Sequence, residues 1–266
     1  MTRVARFTTS LWLLLLTDVG LTPAAGAATT LVFARGRITC DISYPGEFLP
    51  EAVGMTLPMA MNAALELIGP PATPARLSLR LLEPPSFYKR LKAMFRAEVF
   101  ALQQGNEIAL HPGSDPLKLA FRLGHELSHW LASQKNPARP PLWLDEGLAQ
   151  LAGTTAAATC ARTLKQTLSR PPPARLAQHL FALEELTRLT DYPQNAHRSA
   201  AFYWQTEELV RALRDKLGPE AFAAYLDLLS GPDAPAWDTP LRDRWYFSDW
   251  DMNWLAGQIQ PEKQKP

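Results

Sequence analysis

Two histidines one helical turn apart, with a glutamate beside the first, sit in "GHELSHWLASQKNPARPPLWLDEGLAQ" at 124–150. No other stretch restricts the fold as much, because it asks for two helices joined by a Pro-rich turn. On a helix, positions i and i+4 share a face, so His125 and His129 present both imidazoles to one point. Two such ligands are what a zinc ion takes from one helix. Glu126 lies about 100° around the helix from His125. It stands beside that point and not on it, where it could take a proton from a metal-held water. Without a metal, the same residues form a polar stripe on an amphipathic helix.

The second helix opens at Trp143-Leu144-Asp145-Glu146-Gly147. If it packs back on the first, Glu146 reaches the same point. Two neutral imidazoles and one carboxylate leave a dication with residual positive charge and an open water position, the mark of a catalytic site. The alternative for Glu146 is a first-turn glutamate favoured by the helix dipole.

Upstream of this pair, periodicity is that of strands. Residues 31–39 have β character, 76–82 (RLSLRLL) alternate polar and apolar, and 97–103 and 106–111 flank Gln104-Gly105 as a hairpin. Between them, 51–68 reads as a helix that Pro58 should kink or shorten, and 86–95 as a short helix. Downstream, helical patterns cover 116–134, 143–156, 199–217 and 219–229, with Pro171-Pro172-Pro173 as an exposed linker. Strands first and helices later predict an α+β domain.

The first 27 of the 266 residues read as an export signal. Arg3 and Arg6 precede an apolar run at 11–16, and Ala25-Gly26-Ala27 offers a cleavage site. Asp18 interrupts the run, which falls well short of a membrane span. The expectation is an exported chain, periplasmic or extracellular, with no stable membrane insertion once the signal is cleaved. The whole chain carries 27 basic and 26 acidic residues. Loss of Arg3, Arg6 and Asp18 makes the mature part formally neutral, which excludes a long-range pull toward nucleic acid. In an oxidising compartment Cys40 and Cys160 are expected to pair as one disulfide, worth roughly 4–5 kcal/mol in the chain-entropy model. The alternative is two buried free thiols.

"HELSHW" followed by "PLWLDEGLAQ" resembles the gluzincin metallopeptidases, especially the small peptidase MA-like domains of secreted bacterial proteins. "NEIALHPG" is similar to that family's strand lining the substrate cleft, and "FYWQTEELVRALRDKLG" to its Y-x-Q-x-x-x-L-V-x-x-L helix. The resemblance spans roughly 50–230. It implies a zincin-like α+β fold with a small N-terminal mixed sheet and C-terminal helices, zinc as cofactor, and a protein or peptide substrate lying along 107–111. It makes His125, His129 and Glu146 the zinc ligands, Glu126 the general base, and Tyr203 the donor to the oxyanion. Packing on an aromatic helix face is the alternative for Tyr203, and His197 the alternative donor. His111, at the end of the cleft strand, is a candidate to touch substrate, or else a loop residue; no partner for His179 is evident. Behind the ligands, Gln150 and Asp145 are candidates to orient a histidine.

Two departures from the pattern matter. Aminopeptidases of this clan carry G-x-M-E-N upstream, and nothing like it occurs here, which points to endopeptidase action. Their glutamate ligand also stands somewhat later in the chain, so the connector here is shorter. The domains expected are a signal at 1–27, a catalytic domain at 28–233, and a Trp-rich extension at 234–266 packed on it, ending in a polar tail. The competing function is a non-catalytic zinc-binding module that recognises an envelope protein. An intact Glu126 argues against it, since binding needs no general base.

Overall fold

The computed structural model describes residues 29–44, 50–82, 101–135, 140–168, 173–230 and 233–260. The export signal at 1–27, the short helix at 86–95, most of the connector between the two metal-motif helices, Pro171 and Pro172, and the polar tail beyond 260 lie outside the described residues.

Five strands form one mixed sheet in the order β1-β2-β3-β5-β4. β1 (Thr29–Arg35) and β2 (Ile38–Tyr44) pair antiparallel around Gly36-Arg37. The sequence suggested one strand over 31–39; the structure folds it into a hairpin. Gly36 takes φ +57°, a left-handed conformation that two-residue hairpin turns require. α1 (Glu51–Ile68) then crosses over to β3 (Ala75–Leu81), which runs parallel to β2. β3 buries Leu77, Leu79 and Leu81 on one face, as its alternation predicts. β4 (Ala101–Gln104) and β5 (Glu107–Leu110) form the second hairpin, turning at Gly105 with φ +58°.

Two expectations are corrected here. α1 continues through Pro58, which is itself buried. Its ring loses one backbone bond, but Val53, Leu57, Ala60, Met61 and Ala64 lie on a fully packed face that offsets the loss. The strand at 107–111 is not the rim of the sheet either: β5 pairs with β3 on one side and β4 on the other, so β4 is the outer strand.

The helical layer begins with α2 (Pro116–Lys135) and α3 (Leu142–Leu164). A 3-10 helix (Pro173–His179), α4 (Leu183–Arg188), α5 (Ala196–Leu217) and α6 (Pro219–Leu229) follow. α7 (Thr239–Trp245) and α8 (Asp249–Gln258) complete eight α-helices among the described residues. None of the described helices is long and apolar enough to cross a membrane.

α2 and α3 touch backbone to backbone. A Cβ placed on Gly124 would sit 2.8 Å from the Ala152 carbonyl oxygen, and one on Gly153 2.7 Å from that of Phe121. Trp130 and Trp143, one from each helix, are fully buried. α2 is tied to the β4–β5 turn by Asn106 Oδ1, which accepts from Trp130 Nε1 at 3.3 Å and Gln134 Nε2 at 2.9 Å. The closing helices pack on this core. Trp237 meets Trp143 edge to face at 5.5 Å, and Tyr225 donates to the Trp237 carbonyl at 3.0 Å. Trp245 and Trp254 are partly buried against the core, while Trp250 and Tyr246 are exposed.

The disulfide is absent: Cys40 and Cys160 are both buried free thiols. Cys40 lies inside the sheet, opposite Phe33 and beside Leu77. Cys160 belongs to the far end of α3, where its Sγ faces the Pro116 carbonyl at 3.8 Å. Each is packed into its own layer, and burial pushes the Cys40 thiol up to about 12.

Candidate metal centre

The helix pair fixes the centre. His125 and His129 stand one turn apart on α2 with their Nε2 atoms 3.2 Å apart. Glu146, in the first turns of α3, brings Oε2 to 3.6 Å from His125 Nε2 and Oε1 to 3.6 Å from His129 Nε2. One ligand atom from each of the three lies within 4.8 Å of the others. Glu146 can come this close because α2 and α3 touch at Gly124 and Gly153, and Gly147 next to it lets α5 lie against the other side of α3. A Cβ there would be 2.5 Å from the Thr206 carbonyl oxygen.

These groups ask for a cation. His129 Nδ1 is 3.0 Å from Asp145 Oδ1, so in the neutral ring the proton sits on that side and Nε2 is the nitrogen left to offer a lone pair to the centre. His125 Nε2 faces the same point, and its buried Nδ1 has no hydrogen-bond partner among the described residues. Burial, and then His129, hold the His125 imidazole well below its ordinary value. Burial also opposes charge on His129, but the Asp145 hydrogen bond and charge, with Glu146 and Glu126, carry it up to about 9. One imidazole thus holds a proton where a metal would sit. Two nitrogens and a carboxylate are a donor set that matches zinc.

Glu126 flanks the three without joining them. Burial pushes its carboxyl up to about 7, with Glu146 adding to this; His129 and the Gln103 backbone N–H, on outer strand β4, pull the other way. A carboxyl poised near neutral pH suits a group that takes up and returns a proton. Tyr203, on α5, faces the same carboxylates. Burial first, then the charges of Glu146 and Glu126, push its phenol up to about 12, so it is a protonated donor.

The other sequence candidates are placed as follows. Asp145, 8% exposed, is the partner of His129. Gln150 instead lines a neighbouring cavity of about 650 Å³ with Tyr203, Phe121, Leu176 and Trp204. The cavity walls are mostly apolar, and Phe121 stacks on His125 at 6.1 Å between ring centroids. His197 belongs to a different pair, stacked on His179 at 4.9 Å on the outside of α5. His111 Nδ1 accepts from the Gly113 N–H at 2.8 Å and shapes its own loop.

One residue at the centre has no sequence signature. Tyr192, in the loop before α5, donates its hydroxyl to Glu146 Oε1 at 2.5 Å. Burial and the Glu146 charge raise its phenol far above the ordinary range, so it stays a donor. Its one local signal is Pro193, which confines the preceding residue to extended backbone.

No protein-family model matches the chain, and no curated protein matches it. Solved structures do. A two-domain M1 zinc metallopeptidase, a glutamate-to-alanine mutant bound to L-tryptophan, superposes with a TM-score of 0.50 at 17% identity over 90% of this chain and 53% of its own. The corresponding mutant from Deinococcus radiodurans gives 0.48 at 17% identity, over 86% of this chain and 50% of its own. This chain spans about half the length of those structures. The shared feature is the fold: an α+β arrangement of a small mixed sheet and the helices behind it.

Proposed function

We propose that the protein is an exported zinc-dependent metallopeptidase that cuts within peptide chains. The observation that carries this reading is the convergence of His125, His129 and Glu146 on one point with Glu126 beside it. Zinc bound by the three ligands would supply Lewis acidity and a water acidified to near neutral pH. Glu126 would be the group that takes up the water proton and returns it to the leaving amine. Tyr203 donates to the carbonyl oxygen as charge develops on it, the role of an oxyanion donor. Asp145 holds His129 in the tautomer that leaves Nε2 free.

Outer strand β4, with its Gln103 N–H next to Glu126, supports a substrate lying along 101–104 in place of 107–111. The mostly apolar cavity beside Tyr203 supports a large apolar side chain flanking the cut. The charged groups that line it are already engaged, Lys118 with Asp115, Glu207 with Arg211, and Arg122 with the His111 carbonyl. The missing G-x-M-E-N favours internal cleavage. The subtype is that of the peptidase MA-like domains, with 1–27 as signal, 28–233 as catalytic domain and 234–266 as its packed extension.

The test is a broad peptide library incubated with zinc-loaded wild type and Glu126→Gln, with metal content measured for both. Internal cleavage by the wild type, lost in the variant while zinc is retained, supports the reading. A wild type that holds zinc and cuts nothing favours the non-catalytic, envelope-protein-binding alternative. Release of single N-terminal residues would overturn the endopeptidase part, and a mature protein still starting at Met1 would overturn export by cleavage.

A further inference from the structure

The Glu146 carboxylate is 3% exposed and is approached from α2 by two imidazoles. A buried carboxylate in such a centre has two oxygens with about four lone-pair positions, and which of them it turns to a metal is not settled by the helix alone. We propose that Tyr192 is a positioning residue of the metal centre: its hydroxyl, donated to Glu146 Oε1, fixes the orientation in which that carboxylate is offered to zinc. This rests on the zinc reading above.

The loop carrying Tyr192 is held in place. Ser199 Oγ, in the first turn of α5, donates to the Pro193 carbonyl at 2.5 Å, and Gln194 Nε2 donates to the Tyr192 carbonyl at 3.1 Å. Asn195 caps α5 by accepting from the N–H groups of His197 and Arg198. The Tyr192 ring meets the buried Phe202 edge to face at 6.3 Å. Tyr192 is 47% exposed, but its backbone is tied at two carbonyls and one edge of its ring rests on Phe202, so the hydroxyl is directed at Glu146.

The neighbours of two ligands then act in opposite senses. Asp145 makes His129 a stronger donor. Tyr192, a neutral donor to Glu146, draws charge from that carboxylate. Tyr203, 6.5 Å from Tyr192 between ring centroids, is left for the substrate side.

Zinc dissociation constants by chelator competition, and the visible spectrum of the cobalt-substituted protein, test this in wild type, Tyr192→Phe and Tyr203→Phe. Tyr192→Phe keeps the ring against Phe202, and is expected to weaken zinc about tenfold and shift the cobalt bands. Tyr203→Phe is expected to lower kcat and leave both readouts unchanged. Ser199→Ala, which frees the loop without touching the ring, should weaken zinc in the same direction and by less. Wild-type zinc affinity and cobalt spectrum in Tyr192→Phe, in a protein whose wild type binds zinc and cuts peptide, overturn this inference alone. A wild type that takes up no zinc overturns the function reading with it.

Discussion

Glu126 and His129 are held in protonation states that solvent would not give them, and the two conflicts have different pH windows. Glu126 is raised to about 7, so the folded chain keeps a proton that the unfolded chain loses. Its stability cost is absent below the ordinary carboxyl value and grows as pH rises to about 7. His129 is raised to about 9; its contribution is full below the ordinary imidazole value and is lost as pH rises through 9. In the metal-free protein Glu126 is therefore expected to take away stability between about pH 4.5 and 7, and His129 between about pH 6.5 and 9. Glu126→Gln should gain on wild type as pH rises toward 7, reaching on the order of 3 kcal/mol at pH 8. Melting curves of chelator-treated protein across pH check this; if the two proteins keep a constant difference from pH 4 to 8, the conflict at Glu126 is not there. The convergence of His125, His129 and Glu146 was readable from the sequence because helical spacing alone aims the histidines, and a short connector returns the next helix. Tyr192 was not readable: it lies outside any periodic element, and its reach to Glu146 depends on how α5 is docked.

The elements meet through glycines that the sequence shows but does not explain. Gly147 looks like a helix-weakening residue beside a ligand until α5 is seen lying on it, 2.5 Å from any added Cβ. Gly147→Ala is expected to push α5 off α3, costing roughly 1–3 kcal/mol and weakening zinc by moving Glu146. Gly54, exposed in α1 with nothing within 4 Å, is the contrast. Gly54→Ala should stabilise by about 0.4–1 kcal/mol. Urea unfolding of both variants decides whether close approach, and not glycine flexibility, sets the sign; a Gly147→Ala protein as stable as wild type would remove the argument. Strand and helix positions were legible where alternation or amphipathic period was long, as in β3 and α2. They failed where tertiary context overrode a local rule. Buried packing carries α1 through Pro58, Gly36 splits an apparently single strand, and only the pairing order shows that β4 lies outside β5.

At the scale of the molecule, separate stretches of chain are joined by polar groups buried between them. The expected covalent tie is missing, since Cys40 and Cys160 sit in different layers. Sequence could count the two thiols but not measure the distance between a sheet strand and a helix end. Gln205 joins three distant stretches instead. Fully buried on α5, it accepts from the Phe181 N–H at 2.8 Å, and donates to the Phe181 carbonyl at 2.9 Å and the Ile259 carbonyl at 3.0 Å. It thus links the segment before α4, the helix that carries Tyr203, and the end of α8. The sequence shows it only as the glutamine of the Y-x-Q-x-x-x-L-V-x-x-L pattern; its role as a tie was not legible, because an amide on a helix is ordinary until all its partners are known. Gln205→Leu removes the side chain's hydrogen bonds and leaves the Phe181 N–H and the Ile259 carbonyl to be satisfied elsewhere, while the Phe181 carbonyl keeps Gln260 Nε2 at 3.4 Å; each group left unpaired costs roughly 1–3 kcal/mol. The expected result is a melting temperature lowered by many degrees, with α8 released first, so that hydrogen exchange rises at 249–258 before it rises in α2. A surface change such as Trp250→Ser, on a side chain already 68% exposed, should leave that exchange pattern unaltered. If Gln205→Leu also leaves it unaltered, the closing helices are held by their apolar contacts alone, through Leu241, Leu255 and Ile259, and the amide is incidental to how the chain closes on α2 and α3.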